Sequence, residues 1–318
     1  MLATDRVRKV HIVEVGPRDG FQSEKQFIPT ATKIAVVNAL SRTGVPAIQV
    51  TSFVHPKAIP QFIDSEDVVA GIDILPDVSY RALVPNMRGL ERVLPFRGRI
   101  DTVNLMLSVT ESHNRANGNR SIDETLHEIA GMTKVAQGEG FAVSGSMICA
   151  LGCPFEGRVP IERLQDIAGR YVDLGITAIS IADTIGVANP KLVYDTVSYL
   201  VGKYPDVTWN MHLHNTRDLA LANTLAALEA GVSRFDGGVA GLGGCPYAPG
   251  ATGNIATEDM VNMLHGMGIE TGIDLDRLLA VARMHEEFIP HPLDSSLLRA
   301  GPGNVLLPAP ERQHKVAS

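Results

Sequence analysis

Cysteine is scarce in this chain, with three among 318 residues. A disulfide framework is therefore not expected, and a reducing, cytoplasmic setting fits best. There is no apolar run near the roughly 18 residues that cross a bilayer. The N-terminal MLATDRVRKVHIVEV passes from charges straight into an alternating strand, without the apolar core or small-residue cleavage site of a signal peptide. Neither a membrane partner nor export is expected. Positive charge is not in excess: the formal net charge is −7, which leaves no basic footprint for nucleic acid, although a local phosphate pocket remains compatible. Low-complexity tracts are absent too. With 45% hydrophobic and 20% charged residues, the composition is that of an ordered globular protein, long enough to bury a substantial core as one large domain or two small ones.

A regular rhythm runs through the chain. Short apolar, β-branched runs recur as VHIVEV (10–15), AIQVTS (47–52), DVSYRALV (77–84), DTVNLML (101–107), FAVSGSMIC (141–149), TAISIAD (177–183), VTWNMHLH (207–214) and VSRFDGGVA (232–240). Helix-length patterns lie between most of them. Ser121 and Glu124 have the spacing of a capping box, Pro160 and Pro190 sit where first helical turns begin, and Gly44, Gly175 and Gly231 sit where helices stop. Eight strands alternating with helices predict parallel βαβ units and favour a closed (β/α)8 TIM barrel over an open doubly wound sheet. The barrel with its closing helices, at about 257–268 and 274–288, is expected over 1–290. A helical or irregular C-terminal extension with scattered prolines, partly disordered at its end, is expected over 291–318.

Barrel chemistry sits where strands end and βα loops begin. Polar clusters fall at those places: Arg18 and Asp19 after the first strand, Thr51 and Ser52 at the second, Asp183 at the sixth, His212 and His214 at the seventh. The stretch GLGGCPYAPGATGN (241–254) follows the eighth. On a strand, His212 and His214 project from one face, and two neutral imidazoles can share a divalent cation; a core or surface histidine pair is the plain alternative. Asp19 and Asn254 would complete a mixed oxygen and nitrogen set suited to Mg2+ or Mn2+. Adjacent opposite charges between glycines usually make a solvated turn, but the place of Arg18 and Asp19 at a catalytic mouth favours a functional pair, with Arg18, beside a metal-bound carboxylate, holding a developing enolate. Cys245, among glycines that permit loop movement, is favoured as a proton donor or acceptor over a structural thiol. The loop lacks the lysine and spacing of a phosphate cradle. Cys149 and Cys153 are read as buried small hydrophobes rather than a bridge or metal pair.

Six strings together, VEVGPRDGFQSEK, TSFVHPKAIPQ, CALGCPFEG, DTIGVANP, HLHNTRDLALANTLAALEAGV and GLGGCPYAPGATGNIATEDMVNMLHGMGIETGIDL, resemble the 3-hydroxy-3-methylglutaryl-CoA lyases. The resemblance runs from about Val10 to Leu279 and is most specific in the cysteine loop and the ATEDMVNML that follows. It implies a metal-dependent TIM-barrel lyase that cleaves a β-hydroxy acyl-CoA and assembles as a homodimer. Asp19, His212, His214 and Asn254 match its metal ligands. Arg18 matches its enolate-stabilising arginine, Cys245 its loop cysteine, and Asp19 or His212 its base. Ser52, Ser180 and Asp183 match substrate-lining positions; Gln22, Gln49 and Ser146 are added to that set, and Lys25 is a candidate donor to CoA phosphates.

Three positions depart from the pattern. Gln49 stands where glutamate is usual, Ser146 where the animal lyases place tyrosine, and Asn215 where aspartate is common. The first removes a charge near Arg18, and the second enlarges the pocket. The expected substrate is 3-hydroxy-3-methylglutaryl-CoA, with citramalyl-CoA, methylmalyl-CoA or a longer 3-hydroxy-3-alkylglutaryl-CoA open. A condensing synthase and a non-catalytic binding barrel are less favoured alternatives.

Overall fold

The computed structural model describes residues 7–244 and 253–303. Eight strands, β1 (His11–Glu14), β2 (Ala47–Ser52), β3 (Ser79–Leu83), β4 (Thr102–Ser108), β5 (Ala142–Ile148), β6 (Ala178–Asp183), β7 (Thr208–Leu213) and β8 (Arg234–Gly237), close in chain order into one barrel. Every pairing is parallel, including β8 against β1. Each expected strand is present, with ends within three residues of the expected ones. The TIM barrel expected from the alternation is thus the observed fold.

The helices between strands have local causes. Ser121 accepts from Glu124 N while the Glu124 carboxylate accepts from Ser121 N, the reciprocal box that starts Ile122–Gly138. Asn189 caps Pro190–Lys203, with Pro190 in its first turn. Ile161–Asp173 buries Leu164, Ile167, Ala168 and Tyr171, the i, i+3, i+4, i+7 stripe of a helix laid on a sheet. Gly44 ends the first barrel helix at φ +88°, and a Cβ there would lie 2.2 Å from the Gly272 carbonyl oxygen, so both backbone sign and space call for glycine.

Two different interiors result from strand alternation. Outward residues such as Ile12, Ile48, Tyr80, Val103, Met147, Ile181, Met211 and Phe235 are buried against the helices and form the apolar core. Inward residues are largely polar, and they line the site described below. One irregularity matters: β2 shifts register against β3 between Gln49 and Thr51. A strict alternation would put Gln49 and Ser52 on opposite faces; the extra residue of the bulge lets both line the interior.

After β8 come helices Thr257–Gly266 and Leu275–Met284, close to the expected positions. Beyond 290 a helical or irregular extension is expected, and the structure forms a short helix there, Ser296–Ala300. Its cause is local: Ser295 caps it, and the Asp259 carboxylate accepts from Ser296 N at 2.9 Å and Leu297 N at 2.7 Å, tying it to the helix at 257–266. The rest of the expected extension, 304–318, lies outside the described residues.

Candidate active site

Asp19 is delivered by a five-residue turn, Gly16–Gly20, directly after β1. His212 is the inward residue near the end of β7, and His214 lies two residues on, just past the end of the strand. Asp19, His212 and His214 each offer a ligand atom within 4.8 Å of the others, the cluster that the His-x-His spacing anticipated. The facing Nε2 atoms of the two imidazoles are 3.0 Å apart, and Asp19 Oδ2 is 3.7 Å and 3.6 Å from them. Asn254 joins from across the barrel mouth: His214 and Asn254 form a β-bridge, and Asn254 Nδ2 lies 2.9 Å from Asp19 Oδ2.

The donor set fits a divalent cation. Asn254 Oδ1 is buried without a hydrogen-bond partner, and an amide flip exchanges it with the nitrogen that meets Asp19. Two imidazole nitrogens, a carboxylate and an amide oxygen form the mixed set that leaves positions for substrate oxygens. His212 Nδ1 is 3.0 Å from Asp236 Oδ2, which fixes the ring orientation and leaves Nε2 facing the cluster.

The charges are coupled. At Asp19, burial opposes ionisation, but the Arg18 guanidinium and the two imidazoles outweigh it and hold the carboxyl well below the usual carboxylate range. At His212, burial pushes the imidazole down, whereas the Asp236 and Asp19 carboxylates push it up and prevail. Arg18 is held on two sides, with Nη1 2.5 Å from Asp19 Oδ1 and Nε 2.5 Å from Gln49 Oε1. Its side chain is 13% exposed, so the turn between two glycines is built into the site and is not a solvated bend.

A cavity of about 450 Å3 opens from this cluster into the barrel. Arg18, Asp19, Gln22, Gln49, Ser52, Ser146, Ser180, His212 and His214 line it, as does Gly244, the neighbour of Cys245. Cys245 itself lies outside the described residues.

Two expected lining residues are placed elsewhere. Asp183 is fully buried beside β6, and its oxygens accept from Val187 N at 2.9 Å and Ala188 N at 3.0 Å, so the carboxylate closes the β6 loop and does not line the cavity. Lys25 is exposed and borders an adjoining depression with Gln22, Phe27 and Ile59. Asn215 supports the turn after β7, its side-chain oxygen accepting from Ala220 N. Cys149 and Cys153 are buried and in no disulfide, as expected.

Comparison with known proteins decides the family. The HMGL-like profile matches residues 9–284. The chain belongs to the HMGL-like family. Among HMGL-like relatives it is 46% identical to the mitochondrial hydroxymethylglutaryl-CoA lyase of Mus musculus over 272 residues, covering 86% of this chain and 83% of that protein. The crystal structure of the Bacillus subtilis HMG-CoA lyase superposes with a TM-score of 0.89 at 45% identity, covering 92% of this chain and 97% of the other. An HMG-CoA lyase from Acinetobacter baumannii in complex with coenzyme A and 3-methylmalate gives 0.91 at 40% identity, covering 95% and 98%.

Reading the sequence missed Asp236, Asn210, Asn104 and the arginines Arg81 and Arg234, all of which line this HMGL-like barrel. A usable signal existed. Parallel barrel strands are buried on both faces and read as apolar runs, so a charged or amide side chain in mid-strand points to an interior that is not simply packed.

Proposed function

We propose that the chain is a divalent-metal-dependent lyase that cleaves 3-hydroxy-3-methylglutaryl-CoA into acetyl-CoA and acetoacetate. The observation that carries this reading is the convergence of Arg18, Asp19, His212 and His214 at one cavity mouth, in a chain 40 to 46% identical to proteins named as that lyase. Asp19, His212, His214 and Asn254 would hold Mg2+ or Mn2+. A bound divalent ion supplies positive charge that acidifies the substrate's tertiary hydroxyl and helps fix its orientation.

The chain's own groups do the rest. Asp19 or His212 takes the C3 hydroxyl proton; the C2–C3 bond breaks, and the hydroxyl oxygen becomes the ketone of acetoacetate. The electron pair passes into the thioester as an enolate. Arg18 holds the enolate oxygen with a guanidinium already positioned by Asp19 and Gln49, so little reorganisation is needed as charge develops. Cys245 returns a proton to the enolate carbon, which gives acetyl-CoA. Gln22, Gln49, Ser52, Ser146 and Ser180 surround the acyl group. Lys25, which lines the neighbouring depression, would donate to a CoA phosphate.

Gln49 and Ser146 favour a second reading of the acyl group, with citramalyl-CoA, methylmalyl-CoA or a longer 3-hydroxy-3-alkylglutaryl-CoA as substrate. Among the described residues no helix is long and apolar enough to cross a membrane, and the setting proposed is a cytoplasmic homodimer. The test is acetyl-CoA release from this panel by purified protein with Mg2+ or Mn2+, with Gln49→Glu alongside. Turnover is expected for at least one member, with a changed rate or preference in Gln49→Glu, which adds a charge 2.5 Å from Arg18 Nε. No release from any member would overturn the lyase reading.

A further inference from the structure

The inside of this barrel is unusual for its fold. TIM-barrel interiors are normally filled by layers of bulky branched side chains. Here the inward positions of β4, β5 and β7 include Asn104, Ser144, Ser146 and Asn210, and the cavity runs among them from the cluster at the mouth toward the strand starts. Forgoing packed apolar contacts in a barrel core is costly unless the space is filled by something that satisfies its polar walls.

The walls carry more positive than negative charge along this stretch. Arg81 on β3 and Arg234 on β8 line the cavity. Neither enters an ion pair among the described residues. Arg81 donates only from Nε, to Ser79 Oγ at 3.3 Å. The carboxylates nearest to them are already engaged. Asp101 accepts from Ser79 Oγ, Tyr80 N and Thr102 Oγ1, and Asp236 accepts from Asn210 Nδ2 and is bonded to His212 Nδ1. Burial pushes the Arg81 guanidinium below its ordinary value and Arg234 adds to that, while Asp236 and Asp101 oppose it. Asn210 Oδ1 is also buried with no partner. Guanidinium forks without a carboxylate, facing a polar void, match a carboxylate ligand.

We propose that this interior is a branch pocket, selecting substrates whose 3-substituent is longer than methyl and ends in a carboxylate, which Arg81 and Arg234 bind. The inference rests on the lyase reading above and narrows it. The reaction balances as before: the hydroxyl proton leaves, the C2–C3 bond breaks, the enolate is protonated to acetyl-CoA, and the β-keto acid product keeps the branch. Ser144 and Ser146 leave room for the chain of the branch, and the amides of Asn104 and Asn210 line its path.

Three thioesters test it with the metal-loaded wild type: 3-hydroxy-3-methylglutaryl-CoA, its analogue with a 2-carboxyethyl branch, and an analogue with a neutral propyl branch, close in length. The expected result is a kcat/KM for the carboxyethyl branch at least tenfold above that for propyl. Arg81→Met and Arg234→Met should each collapse that ratio toward one, and Arg81→Lys should retain part of it, with circular dichroism confirming the fold. If the methyl substrate is cleaved and the propyl branch matches or exceeds the carboxyethyl branch in the wild type, the branch pocket is wrong and the lyase reading stands. If none of the three, nor citramalyl-CoA, releases acetyl-CoA, both fall.

Discussion

Asp236 shows how one side chain can matter without touching substrate. Its Oδ2 pairs with His212 Nδ1 at 3.0 Å and its Oδ1 accepts from Asn210 Nδ2 at 2.9 Å, so it both orients a ligand ring and anchors the polar wall below. Removing such a partner commonly lowers metal affinity about 10- to 100-fold. Asp236→Asn is therefore expected to weaken Mn2+ binding by that factor in titration calorimetry while melting close to the wild type. Unchanged affinity would show that His212 needs no carboxylate behind it. Arg18 and Asp19 illustrate what the sequence could not decide alone. Their adjacency alone suits a solvated turn and their place after a barrel strand favours a catalytic pair, while burial and the Gln49 contact exclude the solvated turn.

At the scale of elements, the base of the mouth is held by a buried carboxyl. Glu14, at the end of β1, accepts from Gly16 N at 2.7 Å, Val239 N at 2.9 Å and Thr257 Oγ1 at 2.6 Å, joining the Asp19 turn, the β8 exit and the following helix. Burial pushes it up to about 8, against those three hydrogen bonds, with Glu258 adding to the rise. Burial likewise pushes Glu258 up to about 7. Both pKa values are raised above the ordinary 4.5, so the folded protein binds more protons than the unfolded chain between about pH 4.5 and 8. Their contribution to stability is full below about 4.5 and is lost as pH rises through 7 and 8. Stability and melting temperature are expected to fall across pH 5 to 8.5, and Glu14→Gln, which cannot ionise, to remove on the order of a few kcal/mol of that pH dependence of stability. Parallel curves for the two proteins in calorimetry would show that Glu14 stays ionised throughout.

At the scale of the molecule, the cluster joins residues 19, 212, 214 and 254, so an ion held there ties the first barrel turn to the seventh strand and the segment after the eighth. Binding only to the folded state stabilises by about 2.7 kcal/mol at 100 times Kd. Saturating Mn2+ is thus expected to raise the melting temperature by several degrees, and a chelator to abolish both that rise and turnover, with recovery on adding Mg2+ or Mn2+. No shift with metal would mean that the four residues do not bind it. Much of this architecture was legible in the sequence. Strand count, helix caps and the shared face of His212 and His214 depend on residues two to four apart, and local periodicity carries that information. Register and the make-up of the interior did not follow from it. The β2 bulge that turns both Gln49 and Ser52 inward, the Asp236 contact behind His212, the diversion of Asp183 to its own loop and the unpaired arginines in the barrel all depend on strands brought together from distant parts of the chain. The sequence by itself determined which elements form and which residues end the strands; only the tertiary structure decided which of them share a cavity, because that is set by closure of eight strands and not by spacing within any one.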